Sequence, residues 1–266
     1  LTYSASVDGN STSSVDGNIL TVSPDADYNG SIVVDILVTD GDLTDSLSFT
    51  LVVNPVNDAP ILSVIEDQSI DEDSVLTLQL LATDIDTEDL TYSASIDGNG
   101  SVSVVSDVLT VTPNLNYNGD IEVSVTVSDG QYIDTQSFTL SIQPINDAPV
   151  LSSIEDQSIN EDNDLVISLS ASDVDGDGLT YSASVDGNST ASIDGNILTV
   201  SPDADYNGSI VLDILVTDGD LTDSLSFTLV VNPVNDAPTS DDVSTQVDED
   251  NSVEIVLIGS DVDSSE

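Results

Sequence analysis

Hydrophobic and polar residues alternate along much of this chain with a period of two. Large apolar residues occupy every second position from Leu47 to Val53, and the same spacing recurs from Ile32 to Val38. Successive side chains of a β-strand point to opposite faces of its sheet, so this pattern predicts strands with one buried face. No stretch combines a 3.6-residue period with helix caps, and the sequence therefore predicts no helix.

Turn residues divide the apolar runs into short pieces. Asp-Gly pairs begin at residues 8, 16, 97, 186 and 194, and prolines end apolar runs at positions 24, 113 and 202. Glycine accepts a positive φ, and proline cannot donate to a strand ladder. About seven short strands in each stretch of 89 residues predict an all-β fold of tandem immunoglobulin-like, antiparallel β-sandwiches.

The chain repeats itself with a period of 89 residues. Asn-Asp-Ala-Pro recurs at 57–60, 146–149 and 235–238, and residues 1–60 differ from residues 179–238 at only three positions. A fixed period of this length is typical of an array of similar domains.

The repeat predicts four segments. Residues 61–149 and 150–238 are expected to be complete modules, 1–60 the last strands of a partial one, and 239–266 the first two strands of another. Residues 253–257 align with 165–169 in this scheme. Two interpretations of the ends stay open: excision from a longer array, or a polymer in which the last segment of one copy completes the first segment of the next.

Composition sets the chemistry that the chain can perform. It has 51 acidic residues, no Lys, Arg or His, and a formal charge of -51. Such a chain cannot clamp a phosphate backbone and is repelled by anionic membranes, which excludes nucleic acid as a partner. The chain also has no Cys, Met or Trp, so disulfides, thiolate sites and cysteine nucleophiles are excluded. The profile suits an extracellular protein that binds hard cations through oxygen ligands.

The acids gather at recurring positions where strands end and predicted modules meet. They occupy the Asn-Asp linkers, the Glu-Asp pairs near the first strand, the Asp-x-Asp pairs after the second strand and the later Asp-Gly turns. Two carboxylates about 4 Å apart repel by roughly 4 kcal/mol at an effective dielectric of about 20. A cation between them removes this repulsion, and calcium accepts six to eight oxygen ligands. The competing interpretation is a solvated, halophile-type surface.

These motifs together resemble a known family. Asn-Asp-Ala-Pro, the Glu-Asp and Asp-x-Asp pairs, and Ser-Pro-Asp-Ala-Asp-Tyr-Asn-Gly before Val-Thr-Asp-Gly are similar to the cadherin-like tandem repeats of very large secreted bacterial (RTX-type) adhesins. The resemblance covers the whole chain and implies Ca²⁺ sites at three junctions. The implied ligands are Asn57, Asp58, Asp84, Asp86 and Asp129 at the first junction; Glu72, Asn146, Asp147, Asp173, Asp175 and Asp218 at the second; and Glu161, Asn235, Asp236, Asp261 and Asp263 at the third.

The sequence also departs from the cadherin pattern. Cadherins carry an Asp-x-Glu motif before their sixth strand, and other pairs stand in its place here: Asp25 and Asp27, Asp203 and Asp205, and, in the middle module, Asn114 and Asn116. The amide pair predicts a weaker site after the middle module. The linker also has Pro144 and Ala148 where cadherins have Asp and Asn, so the number of ions per junction stays open.

Two motifs admit a second interpretation. Residues 173–178 (Asp-Val-Asp-Gly-Asp-Gly) resemble the start of an EF-hand loop, although its twelfth position is Ser184 rather than Glu and no helix is predicted beside it. Tyr28, Tyr117 and Tyr206 are expected to be tyrosine corners that pack strand ends, with sugar stacking as the alternative.

The sequence and its resemblance predict a structural function rather than an enzyme. We expect a calcium-stiffened extender of an extracellular adhesin or surface filament, secreted or attached to the cell surface, in adhesion or biofilm formation. Its expected partners are calcium ions and neighbouring repeats, with no membrane insertion. Paired carboxylates can hydrolyse glycosides, but these acids recur at linker positions. The alternative is a carbohydrate-binding module of a secreted polysaccharide-degrading system, against which the aromatic content of 4% without Trp argues.

Overall fold

A computed structural model describes residues 1–263, and within this range the secondary structure consists of strands and turns without a helix. It follows that the described residues contain no helix suited to crossing a membrane. The backbone forms two compact units, Leu1–Pro144 and Ile145–Glu266, each of which is described by itself. The all-β, tandem immunoglobulin-like fold is the predicted one. The predicted domain boundaries stay a prediction.

The first unit contains fourteen strands. They are β1 (Thr2–Val7), β2 (Ser11–Asp16), β3 (Ile19–Pro24), β4 (Gly30–Thr39), β5 (Thr44–Val53), β6 (Ile61–Leu62), β7 (Gln68–Asp71), β8 (Leu76–Gln79), β9 (Ala82–Thr83), β10 (Thr91–Ile96), β11 (Gly100–Val105), β12 (Val108–Pro113), β13 (Gly119–Ser128) and β14 (Ile133–Gln143). Their sheets have the orders β1-β4-β5, β2-β3, β10-β13-β14-β7, β11-β12-β8 and β6-β9.

The alternation along β13 produces the core of the sandwich formed by residues 61–143. Ile121, Val123, Val125 and Val127 are each 0% exposed, while the residues between them lie on the other face of the sheet. The opposing sheet contributes buried residues from β8 and β12 to the same core. The period-two pattern thus places one face of each sheet against the other, as predicted.

The first strand of this sandwich is divided between two sheets. β6 pairs with β9 in an antiparallel ladder of two residues, and the chain then crosses over so that β7 runs parallel to β14. The sandwich consequently has more strands than the seven expected, and one of its strand pairs is parallel rather than antiparallel. The crossing brings the end of β7 beside the end of β14, close to the linker that follows.

The second unit repeats this arrangement. Its strands are β15 (Val150–Leu151), β16 (Gln157–Asn160), β17 (Leu165–Ser168), β18 (Ala171–Ser172), β19 (Thr180–Val185), β20 (Ser189–Asp194), β21 (Ile197–Pro202), β22 (Gly208–Thr217), β23 (Thr222–Asn232), β24 (Thr239–Ser240) and β25 (Gly259–Ser260). The sheets have the orders β16-β23-β22-β19, β17-β21-β20, β15-β18 and β24-β25. Along β22 the inward residues from Ile210 to Val216 are 0% exposed.

Three tyrosines fix the turns that lead into the long central strands. The hydroxyl groups of Tyr28, Tyr117 and Tyr206 donate to backbone carbonyl oxygens three residues downstream, at 2.9, 3.0 and 3.1 Å. Tyr117 and Tyr206 also pack against the cores of their sandwiches. A side chain held at both ring and hydroxyl has a structural role, which favours the tyrosine-corner interpretation over sugar stacking.

Candidate metal centres

The Asn-Asp linker of the first unit ties two acidic loops together. The side-chain amide of Asn57 donates to Asp129 Oδ2 at 2.6 Å, and the backbone N–H of Asp58 donates to Asp86 Oδ2 at 2.7 Å. Asp86 follows β9 and Asp129 follows β13, so four predicted ligands meet at one end of the sandwich. Their role as metal ligands stays a prediction.

The second unit contains the same arrangement. Asn146 donates through its side-chain amide to Asp218 Oδ2 at 2.9 Å, and the N–H of Asp147 donates to Asp175 Oδ2 at 2.8 Å. Because these contacts recur 89 residues apart, they follow from the repeated motif rather than from one local accident of packing.

Two aspartates at equivalent positions each use only one carboxylate oxygen as a hydrogen-bond acceptor. Asp84 Oδ1 accepts the backbone N–H of Asp86 at 2.7 Å, and Asp173 Oδ1 accepts that of Gly176 at 3.0 Å. The Oδ2 atoms of Asp84 and Asp173 are shielded from solvent and have no hydrogen-bond donor. A shielded carboxylate oxygen without a donor is costly, and a cation bound at that oxygen would remove the cost.

A denser acidic cluster lies near the third Asn-Asp linker, in the second unit. Carboxylate oxygens of Glu161, Asp236 and Asp263 lie within 4.8 Å of one another, and so do those of Asp162, Asp205 and Asp236. Glu161 is only 2% exposed and accepts the backbone N–H of Val234. Asp236 belongs to both groups, so the two groups share one carboxylate.

The negative charges of this cluster repel one another. The pKa of Asp236 is raised from 3.8, first because burial desolvates its carboxylate and then because the negative charges of Asp263, Asp162, Asp205 and Glu161 surround it. Its Oδ2 is shielded and has no hydrogen-bond donor. Since the chain has no basic side chain, the counter-charge has to come from outside.

The aspartates of the Asp-Gly turns have lowered rather than raised pKa values. Hydrogen bonds from Tyr132 N–H and the Asn57 amide lower the pKa of Asp129, and bonds from the Asn146 amide and Leu221 N–H lower that of Asp218. These hydrogen bonds favour the charged form of both carboxylates, which is the form that binds a cation.

A cleft in the first unit brings further predicted residues to the first linker. Asp27, Asp58 and Asp84 line it, and an adjoining cleft is lined by Asp25, Asp27, Asp58 and Asp86. The Asp-x-Asp pair before β4 thus faces the same region as the linker and the loop after β9.

The remaining predicted ligands make local contacts or lie outside the acidic clusters. Asn235 donates its amide to its neighbour's carbonyl oxygen at 2.8 Å, and Asp261 accepts the N–H of Asp263 at 3.0 Å. Glu72 is 6% exposed in the first unit, and its predicted combination with residues of the second unit stays a prediction. Among the described residues, the carboxylate of Asp203 belongs to none of the acidic groups of three, whereas that of Asp205 belongs to one.

Two acidic residues in these clusters were not among the predicted ligands. Asp162 lies beside Glu161 in the Glu-Asp pair, and its carboxylate accepts the N–H of Asp205 at 3.4 Å. Asp177 groups with Asp173 and Asp175. The Glu-Asp dipeptide was a usable signal for the former, but the cadherin pattern counts only its first residue.

The EF-hand interpretation of residues 173–178 is wrong. The loop lies between two strands, β18 and β19, rather than between helices. Its three clustered carboxylates therefore belong to the end of a β-sandwich. Their hard oxygen donors, like those of the other clusters, suit calcium better than softer transition metals.

Comparisons with known proteins show repeats and distant relatives. The chain is 26% identical over 210 residues to a chitinase A of Pseudoalteromonas piscicida, which covers 76% of this chain and 25% of that protein. The chain thus spans about a quarter of the length of this curated relative. Among solved structures it is similar to mouse protocadherin-24 EC1-3, with 20% identity, a TM-score of 0.48 and coverage of 87% and 90% of the two chains. An endo-fucoidan hydrolase of glycoside hydrolase family 107, MfFcnA4, gives 17% identity and a TM-score of 0.31, over 87% of this chain and 39% of that one.

The solved structures are too distant to assign a role, whereas the family match is direct. Residues 57–142 and 146–230 each match the model of the bacterial Ig domain. The two repeats cover more than half of the sequence, and the chain therefore belongs to the bacterial Ig domain family.

Proposed function

We propose that this chain is a non-catalytic extender segment of an extracellular protein, secreted or attached to the cell surface, whose junctions are stiffened by calcium. The observation that carries the proposal is the cluster of Glu161, Asp162, Asp205, Asp236 and Asp263 in a chain without any basic side chain. Such a cluster is repulsive by itself and becomes cohesive when divalent cations bind within it.

The positions of the clustered acids support the proposed stiffening. In the second unit Asp205 precedes β22, Asp236 lies in the linker after β23, and Asp263 follows β25. An ion shared by these residues would join the end of one sandwich to the strands beyond its linker. The extender would then serve a surface adhesin or filament, in adhesion or biofilm formation.

Thermal unfolding tests the proposal. Calcium that binds only the folded chain stabilises it by RT ln(1 + [L]/Kd), so about 1 mM calcium at a Kd near 10⁻⁴ M contributes roughly 1.4 kcal/mol per site. We expect a higher melting temperature in calcium than in chelator. Matched sodium chloride is the control, because a merely solvated acidic surface would respond to ionic strength alone. Equal melting temperatures in calcium and chelator would contradict the proposal.

The chitinase relative supports a second candidate, an accessory module of a secreted polysaccharide-degrading protein. Chitinase A matches 76% of this chain but only a quarter of its own length, as expected if the shared part is an accessory region. Sugar-binding surfaces usually present exposed aromatic rings, and the exposed aromatic side chains here are Tyr3, Phe49 and Tyr132 in the described residues.

Sedimentation with insoluble chitin, with calcium and with chelator, tests this second candidate. Retention on chitin that is lost when Tyr132 is replaced by Ala would support a binding module, with Tyr132→Phe as the control that keeps the ring. Failure to bind leaves an extender within such a protein, or within an adhesin, as the function.

A further inference from the structure

The turn between β11 and β12 differs in its side chains from the equivalent turn of the second unit. It contains Ser106 and Asp107, whereas the turn between β20 and β21 contains Gly195 and Asn196. The backbone is nevertheless similar, because Ser106 and Gly195 have φ angles of 59° and 61°. The N–H of Leu80 donates to the Asp107 carbonyl at 2.7 Å, as its counterpart in the second unit donates to Asn196 at 2.8 Å. The two turns therefore differ in the groups that their side chains offer.

The side-chain amide of Asn196 makes two hydrogen bonds that Asp107 cannot make. It donates to the Leu169 carbonyl oxygen and to Ser168 Oγ, each at 3.0 Å. An ionised carboxylate only accepts hydrogen bonds, so the equivalent carbonyl oxygen of Leu80 loses its donor. No other hydrogen bond to that oxygen lies within the part of the chain that the structure describes. Leu80 is 2% exposed, and a buried carbonyl oxygen without a donor is destabilising.

A cleft of about 640 Å³ lies beside this turn in the first unit, and Asp107 lines it. The carboxylates of Asp84 and Glu88 and the side chains of Ser106 and Tyr92 line it as well. Pockets of roughly 300–1,000 Å³ accommodate small organic molecules. The cleft is therefore large enough for an organic ligand rather than for a single ion alone.

The charge of the cleft and the neighbouring carbonyl oxygen define the chemistry of that ligand. Three lining side chains are carboxylates, and the chain has no basic residue to pair with them, so the ligand should be positively charged. In the second unit the corresponding carbonyl, that of Leu169, has a nitrogen donor 3.0 Å away. Calcium lies closer to its ligands, at about 2.3–2.6 Å. A cation that carries N–H groups therefore fits the position that the Asn196 amide occupies in the other repeat.

We propose that this cleft binds the primary ammonium groups of a small aliphatic diamine or polyamine. An ammonium group has three N–H donors and one positive charge, so a single group can donate to the Leu80 carbonyl oxygen and pair with Asp107. Glu88 supplies the counter-charge for a second ammonium group, and the Leu90 side chain, which also lines the cleft, offers apolar surface to the alkyl chain between them. Asp84 is shared with the candidate metal centre at the first linker, so the assignment rests on Asp107 and Leu80.

Calorimetric titration of the whole chain with 1,6-diaminohexane tests the proposal. The buffer is free of calcium and contains about 0.15 M NaCl, which screens diffuse counter-ion binding by the acidic surface. Hexamethonium is the matched ligand, because it has the same alkyl chain and the same charges but no N–H group. We expect a saturable site for the diamine and an affinity for hexamethonium that is weaker by about tenfold or more, since hydrogen bonds to charged groups are the stronger class.

A pair of variants locates the site. Asp107→Asn introduces the amide that the second unit carries, so it should raise the melting temperature and weaken diamine binding by about tenfold or more. Asp120→Asn is the matched control, because it removes the same charge from the same sandwich outside the cleft and can still accept the hydroxyl of Ser141. It should leave the affinity unchanged. Equal binding of the two ligands, equal losses in the two variants, or the absence of a saturable site would overturn the proposal.

Discussion

Residues with left-handed backbone conformations shape the acidic strand ends. Asp73 and Asp162 have φ angles of 59° and 63°, and Asn116 and Asp205 have φ angles of 54° and 57°. Asp and Asn tolerate this region better than other residues that have a Cβ atom. In each unit the first carboxylate accepts the backbone N–H of the second residue, at 2.9 Å for Asp73 and 3.4 Å for Asp162. Backbone geometry thus places two side chains together that are 43 residues apart.

Replacing Gly208 by Ala should destabilise the second unit. Gly208 has a φ of +144°, and an added Cβ would lie 2.7 Å from the Tyr206 hydroxyl oxygen, which is held by its bond to the Ser209 carbonyl. We expect the free energy of unfolding to fall by about 1–3 kcal/mol because of backbone strain, which would be measured as a lower melting temperature. Gly178→Ala is the control, because no positive φ restricts that position and no atom lies within 4 Å of its Cβ. Equal effects of the two changes would contradict the tyrosine-corner account.

Replacing Asp236 by Asn should have opposite effects with and without calcium. The raised pKa of Asp236 means that the folded chain binds this carboxyl proton more tightly than the unfolded chain does. Protonation of Asp236 therefore stabilises the fold at pH values below the ordinary pKa of 3.8. That contribution to the free energy of unfolding is lost as the pH rises through the raised pKa. At pH 7 in chelator the charge therefore destabilises the cluster, and Asp236→Asn should raise the melting temperature. In calcium the same change should remove one proposed ligand, and we expect calcium affinity to fall on the order of tenfold.

Asp203→Asn is the control for that experiment, since Asp203 lies in the same turn but outside the groups of three. Melting curves in chelator and calorimetric titration with calcium measure the two effects. If Asp236→Asn lowered stability equally under both conditions, Asp236 would be a structural residue rather than a metal ligand.

At the scale of strands, the sequence predicted which side chains face the core but not which strands pair with each other. Alternation placed the inward face of β13 correctly, because Ile121 to Val127 are all buried. The same alternation could not show that β7 runs parallel to β14 after a crossing from the β6-β9 sheet. A half-buried strand has the same pattern beside either kind of neighbour, so the pairing depends on tertiary contacts.

The acidic sites were predictable to the extent that motifs mark strand ends. The contacts of Asn57 with Asp129, and of Asn146 with Asp218, join residues 72 positions apart, and only a family resemblance linked them in advance. Asp162 and Asp177 were not predicted, because the resemblance names Glu161 but not its neighbour Asp162, and Asp173 and Asp175 but not Asp177. Whether a carboxylate points into a cluster depends on the turn, as the difference between Asp203 and Asp205 demonstrates.

The two sandwiches should differ in calcium affinity at their linker-side ends. Asn116 occupies the position of Asp205 and has the same left-handed backbone, so it offers an amide oxygen where the other repeat offers a carboxylate. Asn116→Asp should raise the affinity of the weakest calcium sites on the order of tenfold, measured by calorimetric titration of the whole chain. Asn118→Asp adds the same charge in the same turn, and an equal gain from this control would contradict a specific site.

At the scale of the whole molecule, the charge of -51 means that the stability of the folded chain depends on cations from the solvent. Monovalent salt screens the entire surface, whereas ions bound at a few clusters neutralise only the sites where charges converge. The two effects differ in concentration dependence, because specific sites saturate and screening does not.

This difference makes small-angle scattering the appropriate measurement for the whole chain. In 0.5 M NaCl, where general screening is already strong, we expect calcium to narrow the distribution of interatomic distances, because ions bound at the proposed sites would order the linker residues around them. The change should saturate in the millimolar range or below, as expected for extracellular calcium modules. Magnesium is the matched control, since it requires near-octahedral geometry and keeps several of its waters. An equal response to magnesium, or a response that rises steadily with any added salt, would mean that charge screening alone orders the chain.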